Sequence, residues 1–374
     1  MKIVIYAGSG GSGGLRGCYK GFLSACGALP SVRISVICTS EFGQILRPHI
    51  APNVSLIETD ASALKLSDYI KGRRMNAEIV EIIEREKPDI IYFMNGVILK
   101  GVEKYKLAVG MHNQLFVEKE RLKQQRPWKV LLSLLIQRHF TLKSMKEADL
   151  VVFESQQSMD QSREKGLRFR QGVVARYGVQ EQERREYPVD KPMGDPVELL
   201  YVSTILPYKN QEHLIMGLAE LKRRGFATRL HLVGSGPAVH IESLKRRIAA
   251  LDMEENVILY SWVDHSKIRD MIDQSDIFVY ASSIETSGFG LMEGMVRGAV
   301  IACNNESCMP EILGDGGLLF DVHSAENTAD VLQQLIENKN LRMELSRKAL
   351  EKSAAYTWDQ YARVLLSAFR ELTN

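Results

Sequence analysis

Two glutamates eight residues apart, with a glycine turn between them, are the side chains in this sequence best spaced to do chemistry. The run is Ser282-Ser283-Ile284-Glu285-Thr286-Ser287-Gly288-Phe289-Gly290-Leu291-Met292-Glu293-Gly294-Met295. It follows an apolar stretch, Asp276–Ala281, that reads as a strand, and the pattern predicts a helix starting near Phe289. The backbone N–H groups of Gly290 and Leu291 would then point out of the helix start, where the helix dipole favours an anion. Glu285 would belong to the loop and Glu293 to the second turn of the helix. A carboxylate just inside a helix can accept hydrogen bonds from a vicinal diol such as a ribose, and a loop carboxylate can reach a second polyol. Together they suit one ligand carrying a sugar, a diphosphate and a ribose. The plainer alternative leaves Glu285 solvated and Glu293 complementing the helix dipole.

Other candidates sit where strands end. Lys209 closes Tyr201-Val202-Ser203-Thr204-Ile205-Leu206-Pro207-Tyr208-Lys209-Asn210, just before a helical pattern; a solvated surface lysine is the alternative. Gly234-Ser235-Gly236-Pro237 is a turn at the end of another strand. His112 follows the strand Leu107–Met111, and local hydrogen bonding would account for it equally well. Gly8-Ser9-Gly10-Gly11-Ser12-Gly13 fits GxGxxG after the strand Lys2–Ala7, which opens a dinucleotide reading and an NAD(P) oxidoreductase. Against it, Cys38-Thr39-Ser40 stands where an acidic residue is needed and Glu41 arrives late; no GK[ST] follows, which excludes a nucleotide P-loop.

These residues need a scaffold of strands that end at one edge. Short apolar runs recur in the second half: Glu198–Thr204, Arg229–Gly234, Val257–Val263, Asp276–Ala281, Ala299–Cys303 and Gly317–Asp321. Helical patterns alternate with them; Leu214, Leu218 and Leu221 share one helical face, and Gly225 is placed to stop that helix. The first half repeats the rhythm with Lys2–Ala7, Ser31–Cys38, Asp89–Phe93, Leu107–Met111 and Asp149–Phe153. The polar stretch Gln180–Pro196, with three prolines and a glycine, reads as a linker. Alternating strands and helices imply parallel sheets covered on both faces. The expectation is two α/β domains with a cleft between them, a natural arrangement for passing a group from donor to acceptor.

Composition bounds the rest. The 374 residues are 45% hydrophobic and 25% charged, and 48 basic against 46 acidic residues leave a net charge of +2. That excludes a disordered chain and gives no general footprint for nucleic acid. Five scattered cysteines without CxxC suit a reducing compartment. No signal peptide is expected over Met1 to Gly14, and the densest apolar run, Val130–Ile136, is too short to cross a bilayer, so a cytoplasmic protein is expected. From Lys119 to Lys146 there are eight basic residues and one acid, interleaved with Trp128, Leu131, Leu132, Leu135 and Leu142. This reads either as a basic amphipathic helix on the inner, anionic face of a membrane or as a core-packed helix with a solvated basic face. No metal-binding cluster, DxD or HExxH is found.

The Glu285-to-Glu293 segment, with Gly288-Phe289-Gly290 inside it and Pro310-Glu311-Ile312-Leu313-Gly314 downstream, resembles the E-x7-E signature of retaining GT-B glycosyltransferases, family 4 type, also described as glycosyl transferases group 1. The family's usual EGFGLP is altered here to Glu285-Thr-Ser-Gly-Phe-Gly-Leu-Met. The resemblance implies an α/β GT-B fold, two Rossmann-like domains facing across a cleft: an acceptor-side domain over 1–185, a nucleotide-sugar domain over 197–352, and a terminal helix, 353–374, crossing back to the first. It implies donor contacts from Thr204, Lys209, Gly234, Glu285, Phe289, Gly290, Leu291 and Glu293. Thr204 stands where the family has an arginine. It places Lys209, Glu285 and His112 at the reaction, and Gly10, Gly11, Gly13 and Gly14 in the acceptor-side loop. The implied activity is metal-independent, cofactor-free transfer of a hexose from a UDP- or GDP-linked donor to a glycan or lipid-linked acceptor in cell-surface polysaccharide or glycolipid synthesis. Within the same architecture a sugar-nucleotide epimerase or a phosphorylase is the alternative.

Overall fold

Strands of this chain are nearly continuous apolar runs, and such runs are stable only when both faces of a sheet are covered. The structure, a computed structural model, describes residues 1–10, 13–29, 31–62, 75–119, 122, 128–180, 184–186 and 192–374. The chain divides into two units: Met1–Gln180 with Thr357–Asn374, and Glu181–Tyr356. Arg184 goes with the second unit because its guanidinium donates to the Ser353 and Leu350 carbonyls and to Ser353 Oγ.

In the first unit the described residues form a seven-stranded parallel sheet, order β3-β2-β1-β4-β5-β6-β7. The strands are β1 (Lys2–Gly8), β2 (Arg33–Cys38), β3 (Val54–Glu58), β4 (Ile90–Phe93), β5 (Lys106–Gly110), β6 (Leu150–Phe153) and β7 (Gln171–Val174). Central β1 pairs Val4 with Ser35 on one side and Ile91 on the other, and its residues Ile3–Ala7 are wholly or almost wholly buried. Helix α1 (Gly13–Ala25) follows β1, and α2 (Trp128–Glu147) precedes β6.

The described residues of the second unit form a six-stranded parallel sheet, order β10-β9-β8-β11-β12-β13. Its strands are β8 (Val197–Val202), β9 (Thr228–Val233), β10 (Val257–Tyr260), β11 (Ile277–Tyr280), β12 (Ile301–Asn304) and β13 (Leu318–Phe320). Helices α3 (Gln211–Arg223), α4 (His265–Gln274) and α5 (Phe289–Val296) bear on the site. The predicted face of α3 is the buried one: Leu214, Leu218 and Leu221 are fully covered, and Gly225 follows the helix end at φ +91°. The order reverses between β8 and β11, and a reversal opens a crevice at the strands' carboxyl ends.

The two Rossmann-like sheets are the expected fold class. Two strands carried no expectation, β3 and β7, and the expected strand to Val263 stops at Tyr260. The terminal helix α6 (Trp358–Thr373) packs on α1: the Trp358 ring occupies the space a Cβ on Gly21 would fill, and Tyr361 meets Phe22 edge to face at 5.3 Å.

Candidate functional site

The reversal between β8 and β11 brings two loops together. The chain leaving β8 turns through Pro207–Lys209, and Asn210 takes the left-handed conformation at φ 56° before α3 begins. Asn210 is buried, and its amide donates to the Ala281 carbonyl (2.8 Å) and to Ser283 Oγ (2.5 Å). The Ser283 N–H returns to the Tyr208 carbonyl at 2.8 Å. The glutamate loop is therefore fixed to the lysine loop by backbone and amide bonds that leave both charged side chains uninvolved. A third anchor comes from beyond β12: Ser307 Oγ accepts from the Glu285 N–H (3.0 Å) and donates to its carbonyl (2.8 Å).

On this frame Lys209 Nζ and Glu285 Oε1 form an ion pair, both side chains mostly covered, at 12% and 16% exposure. Tyr280 donates its hydroxyl to the same oxygen at 2.8 Å. Burial alone would push the Lys209 ammonium down; the charge of Glu285 and its hydrogen bond to the ammonium outweigh it, and the net shift is upward. The lysine is thus charged at any working pH, and the solvated-surface alternative for Lys209 and Glu285 does not hold.

Helix α5 starts at Phe289 as expected, after Gly288 at φ 60°. Its first internal bond runs from the Met292 N–H to the Gly288 carbonyl, so the amides of Phe289, Gly290 and Leu291 have no acceptor within the helix. Gly290 lies against the Tyr280 ring: a Cβ there would sit 3.1 Å from Cε2. Glu293, in the second turn, accepts from His265 Nε2 at 2.9 Å, and His265 is the first residue of α4. Spacing along the chain gave no sign of His265, Tyr280 or Ser307.

Thr204 is exposed, and its carbonyl accepts from the Gln211 amide at 2.8 Å. Gly234 has φ +148°, and a Cβ there would lie 2.1 Å from the Ser203 carbonyl oxygen. Its glycine is demanded by backbone crossing backbone, which lets the β9 turn lie directly on the loop after β8.

In the first unit, Gly8 and Gly10 have positive φ, and the Phe42 ring fills the space beside Gly10, 2.5 Å from where a Cβ would be. Gly13 and Gly14 open α1, and Gly11 lies outside the described residues. The dinucleotide alternative loses its support: the Gly10 notch is filled by Phe42, and Glu41, the late acid, is an exposed side chain facing Arg16. His112 does not stand open at its strand end. Nδ1 faces the buried Glu154 carboxylate, with the Tyr177 hydroxyl 2.5 Å away, and Nε2 is turned against Gly110, without a hydrogen-bond partner. Glu154 and Tyr177 reach His112 from the ends of β6 and β7, 42 and 65 residues further along the chain.

The basic segment is helical over Trp128–Glu147; Arg121, Lys123 and Arg126 lie outside the described residues. Its apolar residues do not share one face, contrary to the amphipathic expectation. Leu134, Leu142 and Met145 pack on the core, whereas Leu132 and Leu135 are 50% and 38% exposed. No helix among the described residues is long and apolar enough to cross a membrane.

Residues 182–352 match the family model described as glycosyl transferases group 1. Alpha-D-kanosaminyltransferase of Streptomyces kanamyceticus is 26% identical over 192 residues, covering 50% of this chain and 48% of that protein. O-antigen chain mannosyltransferase B of Escherichia coli is 23% identical over 174 residues, covering 46% and 45%. The chain thus spans about half the length of the relatives it matches. Sucrose-phosphate synthase from Thermosynechococcus elongatus superposes with a TM-score of 0.73 at 15% identity, over 100% of this chain and 99% of that one. Anabaena Alr3699/HepE, solved in complex with UDP-glucose, superposes with a TM-score of 0.71 at 17% identity, over 99% and 100%. The fold is GT-B in type.

Proposed function

Starting from the match of residues 182–352 to the glycosyl transferases group 1 family model, we propose that this chain is a retaining glycosyltransferase using a UDP- or GDP-linked hexose. The observation that carries the proposal is the convergence, at one strand-order reversal, of a mostly covered lysine, a loop carboxylate and a helix start whose first amides have no acceptor within the helix. That set matches a diphosphate leaving group with sugars at either end. The Anabaena protein's complexes with UDP and UDP-glucose support the donor class.

In this reading Lys209 and the amides of Phe289, Gly290 and Leu291 neutralise the departing diphosphate, a charge-stabilising role worth a few kcal/mol per donor in buried sites. Thr204 and Gly234 line the donor beside them. Glu285 orients the hexose and Glu293 holds the ribose. The sugar C1–O bond to the phosphate breaks through an oxocarbenium-like state, and the acceptor hydroxyl forms the new C1–O bond on the same face. Its proton passes to the phosphate oxygen that leaves, giving a nucleoside diphosphate and a glycoside. The lysine and helix start supply the charge a divalent ion would bring, hence metal independence. In the first unit, the reading assigns the acceptor side to Gly10, Gly11, Gly13, Gly14 and His112.

A nucleotide-sugar panel tests this, scoring UDP or GDP release with and without EDTA. Release from one donor, unaffected by EDTA, is expected. No release from any donor, with stabilisation by NAD(P) and by neither UDP nor GDP, overturns the reading; strong EDTA inhibition overturns its metal-free part.

We place the acceptor, a glycan or a lipid-linked sugar, at the cytoplasmic face of a membrane. The support is local: outward Leu132 and Leu135 on a helix that also exposes Lys143 and Lys146. Buried in an interface, each leucine is worth about 1.5–3 kcal/mol and each lysine near anionic lipid about 1 kcal/mol. Flotation with anionic vesicles at low salt, lost in L132E/L135E, is the expected result; no flotation of the parent protein refutes it.

A further inference from the structure

Glu285 uses its two oxygens unequally. Lys209 Nζ and Tyr280 Oη both meet Oε1, and neither engages Oε2. The tyrosine is almost wholly covered; its ring meets Tyr201 edge-on at 5.8 Å and borders Gly290 in the first turn of α5. Tyr280 therefore touches both halves of the donor site, the loop carboxylate through its hydroxyl and the helix start through its ring. Burial, and after it the Glu285 charge, push the Tyr280 phenol well above its ordinary value, so it stays a donor throughout the working range.

A lysine that neutralises a leaving diphosphate has to turn some of its attraction away from Glu285. The carboxylate, only 16% exposed, would then lose its counter-charge in a covered setting, which is costly unless another donor remains. We propose that Tyr280 is that donor, a positioning residue that holds Glu285 in place, through Oε1, while Lys209 engages the donor phosphates. The inference rests on the transferase reading above and adds to it a residue that acts through Glu285 without touching substrate.

Y280F tests it by removing one hydroxyl and keeping the packed ring. A hydrogen bond to a charged group is worth enough that kcat/KM for the donor should fall about ten- to a hundred-fold. The probe is hydrolysis of UDP-glucose or GDP-mannose, whichever the parent protein cleaves, and a thermal melt of each variant confirms a folded protein. A merely structural tyrosine would cause the same loss whatever stands at 285. The positioning role instead predicts non-additivity: Y280F on the E285Q background should change kcat/KM less than two-fold, because the charge being held is gone. Where the double variant falls below detection, the cycle is read in calorimetric affinity for the same donor. Equal factors on both backgrounds, or an undiminished Y280F, overturn the inference. Failure of the reading beneath it looks different: E285Q and K209M would themselves leave donor hydrolysis intact.

Discussion

Replacing Lys209 by methionine separates what the lysine does for the fold from what it does for the reaction. Its ammonium is paired to Glu285 in a setting where both side chains are more than four-fifths covered. Removing one member of a buried pair costs about 3–5 kcal/mol, because the other charge stays behind. Tyr280 still donates to Glu285 and the carboxylate keeps some exposure, so the lower end, about 3 kcal/mol, is expected. In a unit of roughly 150–250 residues each kcal/mol moves the melting midpoint about 2–4 °C, giving a fall of about 6–12 °C. Adding E285Q removes the stranded charge, so K209M/E285Q should recover at least half of that fall. Donor turnover should behave oppositely: K209M loses about 10²–10³-fold, the scale of one charge-stabilising group, and the second substitution restores none of it. Calorimetric melts and nucleoside-diphosphate release on the four proteins measure both. A K209M protein as stable as its parent refutes the buried pair. One that is destabilised yet turns over within three-fold of the parent refutes the phosphate role.

Further outcomes follow from other positions. T204R adds a cation at an exposed site on the loop after β8, and should lower the donor KM roughly 3–10-fold at low ionic strength, with the gain shrinking as salt rises; an unchanged KM argues that this loop does not face the phosphates. G234A forces a Cβ to within 2.1 Å of the Ser203 carbonyl at a φ that disfavours side chains, and should cost about 2–4 kcal/mol, seen as a lower urea midpoint. The thiols report on pH. All five cysteines are buried; burial pushes Cys26 up to about 12, and burial with the Glu58 charge pushes Cys38 up to about 11. In the unfolded chain they ionise near 8.5, so their contribution to stability is intact below that and is lost as pH rises toward 11–12. Ellman's reagent should label none of them in the native protein at neutral pH and all five in urea, and the urea midpoint should fall between pH 8.5 and 11; rapid native labelling refutes the burial.

How far the sequence carried this depended on the range of the signal. Central strands such as Lys2–Gly8 and Ile277–Tyr280 are unbroken apolar runs and were legible. The missed β3 and β7 lie at the sheet's edges. There half-exposed positions dilute the pattern, and Gly172 interrupts a strand of four residues. At the site, Glu285, Glu293 and the helix at Phe289 share one local stretch, so their types and spacing could be read. The partners could not. Ser307 reaches Glu285 from 22 residues away, His265 reaches Glu293 from 28, and Glu154 reaches His112 from 42. Those contacts exist because strands distant in sequence end at one edge, which no periodicity encodes. The basic helix misled for the converse reason: Leu132, Leu135 and Leu142 have helical spacing, but where neighbouring elements cover α2 decides which of them is buried.

The terminal helix has a consequence for how this chain is made. The second unit is continuous, whereas the first needs residues from both ends of the sequence. Until Trp358, Tyr361 and Phe369 have left the ribosome, Gly21, Phe22 and Tyr92 lack the rings that pack against them. The unit synthesised first is then the one completed last, waiting with an open aromatic seam while its successor folds, a window in which chaperones or aggregation compete for the nascent protein.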